Sequence, residues 1–356
     1  MHRDTGYGIQ PSFDIGREPA PLTTIYSKEL SMQRSTTEDA LKHFVVTHSL
    51  DPEDATITAA TRTMASPRKG KLRGIEAREP FDAMMERVSP RDDVSFEADT
   101  VGGIAGLWVH PAHARSDEAI LHLHAGWFNL GSAKAFRHLV GHIAARAGAS
   151  AFIPDYRLAP EHRFPAAVDD VLASYRGLEE RGVHRIAITG DSAGGNLALV
   201  LAARVSADAA SAKAALVGVA ALSPVTDLTL SSETYVTRAD ADPYFTLPQV
   251  AELVHAYLGS ADPKLPLASP LHGQLSGLPP VRIHVGDDEV LLDDSRSYVE
   301  RAIAAGTDAR LDVWMGMPHG FAGSIGSLKA SAQALDAIGE FLTEKLLAGA
   351  DPHTAG

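Results

Sequence analysis

From residue 119 onward, short apolar runs alternate with helical stretches, and this alternation limits the fold more than any other feature. The β-like runs are 119–124, 151–155, 185–189, 215–222, 281–285 and 311–315. Helical spacing predicts helices over 133–147, 166–180 and 196–206. Strands that are apolar along their whole length, with helices between them, imply a mostly parallel sheet covered on both faces, joined by right-handed crossovers. Upstream, 94–99 and 104–109 flank Gly102-Gly103 and read as a hairpin, preceded by a helix over 80–88 with its proline in the first turn.

Two regions depart from the alternation. No strand is predicted between Leu222 and Val281, a span holding seven prolines from Pro243 to Pro280 and one helical stretch, 247–258. Loops in α/β units run to about 2–6 residues, so this span reads as an insertion over one end of the sheet. The first 75 residues also differ. Residues 1–21 are expected to be an extended arm. Residues 36–48 read as a short amphipathic helix capped by Ser35 or Thr36, 54–64 as another, and 67–74 as a basic, solvated connector. The 356 residues exceed the roughly 250–300 at which one core stops growing. The expected organisation is an N-terminal arm and cap segment over 1–75, a core over 76–225, a cap insertion over 226–275 and the rest of the core over 276–348.

Charge and composition remove whole classes of function. Lys and Arg number 32 against 45 Asp and Glu, a net charge of −13. Such a surface repels phosphate backbones and anionic bilayers, so neither nucleic acid nor membrane is an expected partner. The chain has no cysteine, which excludes disulfides, thiolate nucleophiles and cysteine-ligated metals, and fits a cytoplasmic protein. No apolar run reaches the roughly 18 residues of a membrane span, and the polar N-terminus shows no secretory h-region.

The chemistry concentrates in Gly190-Asp191-Ser192-Ala193-Gly194. This G-x-S-x-G follows a predicted strand and opens a predicted helix, the context of a nucleophile elbow. Small flanking residues permit a strained turn, and the helix N-terminus favours negative charge nearby. A serine needs a base, which in this arrangement follows last in the chain. His319, between the final strand and the final helix, is placed for that role. The acid is expected after strand 281–285, where Asp287, Asp288, Glu289, Asp293 and Asp294 crowd one loop. Glu289, beside Val290-Leu291-Leu292, has the most apolar surroundings; Asp287 and Asp288 could instead cap the following helix, and local chemistry leaves Asp288 open as the acid. Oxyanion donors are expected from the backbone of Ala193 and from the loop His124-Ala125-Gly126-Trp127-Phe128.

Together these segments resemble the hormone-sensitive-lipase-like α/β-hydrolase esterases. The match lies in 155–162 (DYRLAPEH) with 164–167 (FPAA), in 190–196 (GDSAGGN) and in His319-Gly320-Phe321, and extends over about residues 75–345. It implies an α/β-hydrolase fold with a helical cap, Ser192 as nucleophile and His319 as base. It aligns Glu289 with the family's acid, as in a bacterial subgroup that uses Glu. It implies no cofactor and no metal, and allows a homodimer. One departure stands out: the family's oxyanion loop is His-Gly-Gly-Gly, and here it is His124-Ala125-Gly126-Trp127. The implied donors are then Gly126 and Trp127, with His124 and Ala125 supporting the loop. A positive φ at Ala125 or Trp127 would alter the hole.

The resulting expectation is a serine carboxylic-ester hydrolase for small to medium acyl esters, acting through an acyl-enzyme. The same triad could serve a lactone, an amide or an acyl transfer, and a non-catalytic ligand-binding member of the fold is the remaining alternative. Asp155, Tyr156 and Arg157 are expected to fix neighbouring loops. Asp169 and Asp170 are expected on a solvated helix face.

Overall fold

The computed structural model describes residues 44–348. The arm expected over 1–21 and most of the helix expected over 36–48 lie outside them. The chain runs β1 (Val45–His48), α1 (Pro52–Ala65), α2 (Arg78–Met85), β2 (Val94–Val101), β3 (Ile104–Pro111) and β4 (Arg115–Leu123). It continues through α3 (Ala133–Ala147), β5 (Ala149–Pro154), α4 (Ala166–Glu180), β6 (Arg185–Asp191), α5 (Ala193–Ala207) and β7 (Ala215–Leu222). The insertion contributes α6 (Thr234–Thr237) and α7 (Leu247–Leu258). Then come β8 (Val281–Gly286), α8 (Leu292–Ala304), β9 (Ala309–Trp314) and α9 (Lys329–Leu347). No described helix is long and apolar enough to cross a membrane.

The strands form one nine-stranded sheet in the order β1-β9-β8-β7-β6-β4-β5-β3-β2. Only the β2–β3 and β3–β5 pairings are antiparallel. One buried cluster joins the sheet to α4, α5, α7 and α8; a second packs α3 and α9 against it. That double covering is why β6 (RIAITGD) and β7 (ALVGVAAL) read as apolar throughout. The chain passes from β4 outward to β5, then returns to place β6 on the other side of β4. The loops after β4 and β6 therefore leave in opposite directions and open a crevice at the carboxyl ends of the strands, where ligands bind in such sheets.

Three expectations fail, each for a non-local reason. Residues 45–48 form a strand, not the end of a helix: Val45 to His48 pair in parallel with Leu311 to Trp314. The short VVTH run is β-branched, and the free edge of β9 supplies the backbone partners that a helix would have satisfied internally. His48 also stacks on Trp314 at 3.7 Å and bonds Asp312 at 2.8 Å. The basic run 67–74 is not a solvated connector. Lys69 Nζ donates to the carbonyls of Ala239 and Asp242, Gly70 N–H to Tyr244 O, and Arg73 pairs with Glu252 at 2.6 Å. Asp170 is buried rather than solvated, because Arg157 grips its carboxylate at 2.7 Å. Asp169 remains exposed, as expected.

The segment before the core is also anchored from below. Leu328 gives α9 no side-chain cap, so its first N–H groups are filled from a distance. Asp54 on α1 accepts from Lys329 N and Ala330 N, both at 2.9 Å, and is 2% exposed. Asp54→Ala strands two backbone donors, that of Ala330 buried, and is expected to cost about 1–3 kcal/mol. A lowered midpoint in denaturant unfolding, with activity per folded molecule retained, is the outcome that checks it.

Candidate active site

Ser192 occupies the turn between β6 and α5. Its φ of 56° and ψ of −116° form a backbone conformation that non-glycine residues rarely adopt. The turn is held because Ser192 N–H donates to Leu222 O at 2.8 Å and Val225 N–H to Ser192 O at 3.2 Å. It is tight because a Cβ on Gly194 would overlap Leu123 O on the neighbouring strand. The elbow thus needs glycine there for close approach. Helix α5 starts at Ala193, directly after the serine, rather than at Asn196 as the spacing predicted. The first free N–H groups of the helix therefore lie beside the serine.

Glu289 stands in the loop after β8 and is fully buried. Its Oε1 accepts from Ser223 Oγ at 2.7 Å and Gly286 N at 2.6 Å, and its Oε2 meets His319 Nδ1 at 2.7 Å. A carboxylate can only accept, so Nδ1 carries the proton and Nε2 is the free lone-pair atom. Burial opposes a charge on His319, but the Glu289 carboxylate and its hydrogen bond outweigh this and raise the imidazole above its ordinary value, with help from Asp242 and Asp191. Asp288 faces away and pairs with Arg62. Asp287 accepts from Gly316 N–H. Neither caps α8, whose N-terminus at Leu291 has no side-chain cap. Ser192 Oγ is not hydrogen-bonded to His319 in this structure. Backbone bonds align the ends of the strands that lead to the elbow and to the Glu289 loop: Ser192 N–H donates to Leu222 O and Ser223 N–H to His284 O, both at 2.8 Å, across β6, β7 and β8.

The loop after β4 carries the anticipated departure. Gly126 has φ 127°, Trp127 φ 51° and Phe128 φ 62°, while Ala125 keeps an ordinary φ. Trp127 therefore sits where glycine is favoured, at a cost of about 1–3 kcal/mol. Several contacts hold it. Asn129 Nδ2 donates to Trp127 O and, at 3.1 Å, to Leu253 O on α7. The indole packs edge-on to Phe245 at 5.5 Å. Arg78 donates through Nε to Asn129 O at 2.9 Å and clamps Glu161. His124 supports the loop as expected, with Nδ1 2.9 Å from Ala125 O, its carbonyl accepting from Tyr156 Oη at 2.7 Å, and its ring stacked on that of Tyr156. Asp155 caps α3 through Ala133 N at 2.6 Å. Among the described residues, no group accepts from the backbone N–H of Gly126, Trp127 or Ala193. These are the three N–H groups named from sequence as oxyanion donors.

Sequence reasoning missed Ser223, Asn129, Arg78 and Phe245. Ser223 carried a faint signal, a small polar residue ending an apolar strand. Phe245 carried none: its ring lies 5.0 Å from His319, and only the folded insertion brings it there. Two further histidines bond neighbouring hydroxyls, His122 with Thr189 and His110 with Ser150, both at 2.9 Å.

Comparison with known proteins identifies the family of the fold. Residues 120–323 match the sequence pattern of the α/β hydrolase fold. The chain belongs to the α/β-hydrolase fold family. Within it, the chain is similar to solved esterases of the hormone-sensitive-lipase family. The hydrolase is 38% identical over 245 residues to an acetyl-hydrolase of Streptomyces hygroscopicus, covering 68% of this chain and 81% of that one. It is 32% identical over 284 residues to an esterase of Acinetobacter venetianus, covering 79% and 92%. A solved esterase of the bacterial hormone-sensitive lipase family superposes with a TM-score of 0.76 at 36% identity, covering 84% of this hydrolase and all of that chain. The esterase EstE5 gives a TM-score of 0.78 at 36% identity, covering 83% and 99%.

Proposed function

We propose that this hydrolase cleaves carboxylic esters of small to medium acids through an acyl-enzyme on Ser192. The carrying observation is the buried Glu289–His319 bond of 2.7 Å, at the strand ends where the strained Ser192 turn also lies. In this reading the Ser192–His319 hydrogen bond forms in the substrate complex, as catalytic contacts often tighten only there. His319 Nε2 takes the serine proton as Oγ attacks the ester carbonyl, and Glu289 stabilises the imidazolium. The N–H groups of Gly126, Trp127 and Ala193 hold the oxyanion. His319 then protonates the leaving alcohol. The same histidine activates the water that releases the acid. The insertion and the run 67–74 that bonds to it serve as the cap. Their mutual bonds through Lys69 and Arg73, and the approach of Phe245 to His319, support that assignment.

A panel of p-nitrophenyl esters, lactones and anilides tests the reading. Ester turnover with little anilide turnover is expected; no turnover of any ester would overturn it. Trp127→Gly removes the indole and relaxes the positive φ, so the acyl-length optimum is expected to move to longer chains. An unchanged acyl profile would remove Trp127 from the account of specificity.

A further inference from the structure

The insertion holds a buried carboxylate that the catalytic reading above does not use. Asp242 is 0% exposed, and among the described residues no cationic side chain forms an ion pair with it. Instead its two oxygens are taken by three backbone N–H groups from two segments. Oδ1 accepts from Tyr244 N at 2.8 Å and Phe245 N at 3.0 Å. Oδ2 accepts from Val290 N at 3.1 Å. Val290 directly follows Glu289, and the Phe245 ring stands edge-on to His319 at 5.0 Å and to Trp127 at 5.5 Å. One carboxylate thus fixes the residue after the acid and the ring that flanks the base. The N-terminal segment tightens the same point, since Lys69 Nζ donates to Asp242 O at 2.5 Å and Gly70 N to Tyr244 O at 2.9 Å.

We propose that Asp242 is a positioning residue for His319, a clasp by which the cap insertion holds Phe245 and the Glu289 loop on either side of the imidazole. The proposal rests on the hydrolase reading. Burial raises the Asp242 carboxyl above its ordinary value, and the three N–H dipoles, with the pull of His319, offset part of that cost. The charged groups around His319 are then Glu289 on the β8 loop, Asp191 at the elbow and Asp242 on the insertion. All three are acidic, and all favour the imidazolium of the transition state. Removing Asp242 therefore withdraws both a mechanical and an electrostatic contribution.

Asp242→Asn tests both. Asparagine can still accept from Tyr244 and Phe245, but its amide opposes Val290 N–H and carries no charge. The expected result is a fall in kcat of about tenfold, with KM for a short acyl ester within about twofold. The acid limb of kcat/KM moves to lower pH, because loss of a nearby negative charge lowers the His319 pKa. Wild-type kcat with an unmoved acid limb would overturn the proposal. So would a rate loss that matches only the unfolded fraction. Phe245→Leu covers the case in which Asp242→Asn does not fold: it keeps apolar volume and the carboxylate, so kcat should fall several-fold while the acid limb stays in place. Wild-type kcat in that variant would equally overturn the clasp. If wild-type protein itself hydrolyses no ester, the functional reading fails instead, and the two failures are thereby distinguished.

Discussion

Ser192→Ala is expected to lower kcat on p-nitrophenyl butyrate by about 10⁴-fold or more, with the circular dichroism spectrum and unfolding midpoint retained. The size follows from the chemistry. In the proposed mechanism no acyl-enzyme forms without Oγ, and what would remain is the stabilisation that the N–H groups of Gly126, Trp127 and Ala193 give to attack by water. The fold should tolerate the change because alanine removes only an oxygen. The positive φ at 192 is enforced by backbone bonds to Leu222 and Val225, not by the side chain. Activity within tenfold of wild type would mean that another group attacks the ester.

Glu289→Gln is expected to lower kcat by about 10³–10⁴-fold, as removal of the acid does in comparable triads. The amide would present a donor where Ser223 Oγ, Gly286 N–H or His319 Nδ1–H already donates, so the imidazole loses its tautomer and orientation. The pH profile gives an independent reading. A base must be neutral to act, so activity falls as pH drops through the His319 pKa. The Glu289 carboxylate raises that pKa. The acid limb of the wild type should therefore lie above the ordinary histidine value of about 6.5. In Glu289→Gln it should move to lower pH. Asp288→Asn, in the same loop, should leave both rate and limb unchanged, because Asp288 pairs with Arg62. Equal losses in the two variants would remove Glu289 from its role.

The contrast between these carboxylates shows where sequence reasoning stops. The core alternation and the strand–turn–helix setting of Ser192 were legible because each depends on local pattern. The choice of Glu289 over Asp288 rested on resemblance, since the deciding partners, Ser223 and Gly286, approach only after β7 and β8 pair. Trp127 was visible as a departure from glycine. Its φ of 51° was not, because the contacts that hold it come from Asn129, Arg78 and Phe245. The strand Val45–His48 and the role of Lys69 were misread for the same reason: a short segment takes its structure from the distant edge or carbonyls it meets. Asp242 gave no signal at all, lying in a proline-rich insertion whose value depends on what it touches.

The most direct measurement is mass spectrometry of the intact protein, quenched during turnover of p-nitrophenyl acetate and then mapped by peptide. The account predicts one acetyl group per chain on the peptide carrying Ser192, accumulating fully in a variant whose deacylation is slowed, and absent from Ser192→Ala. Steady turnover with no covalent adduct, or an acetyl group on any other residue, would contradict it.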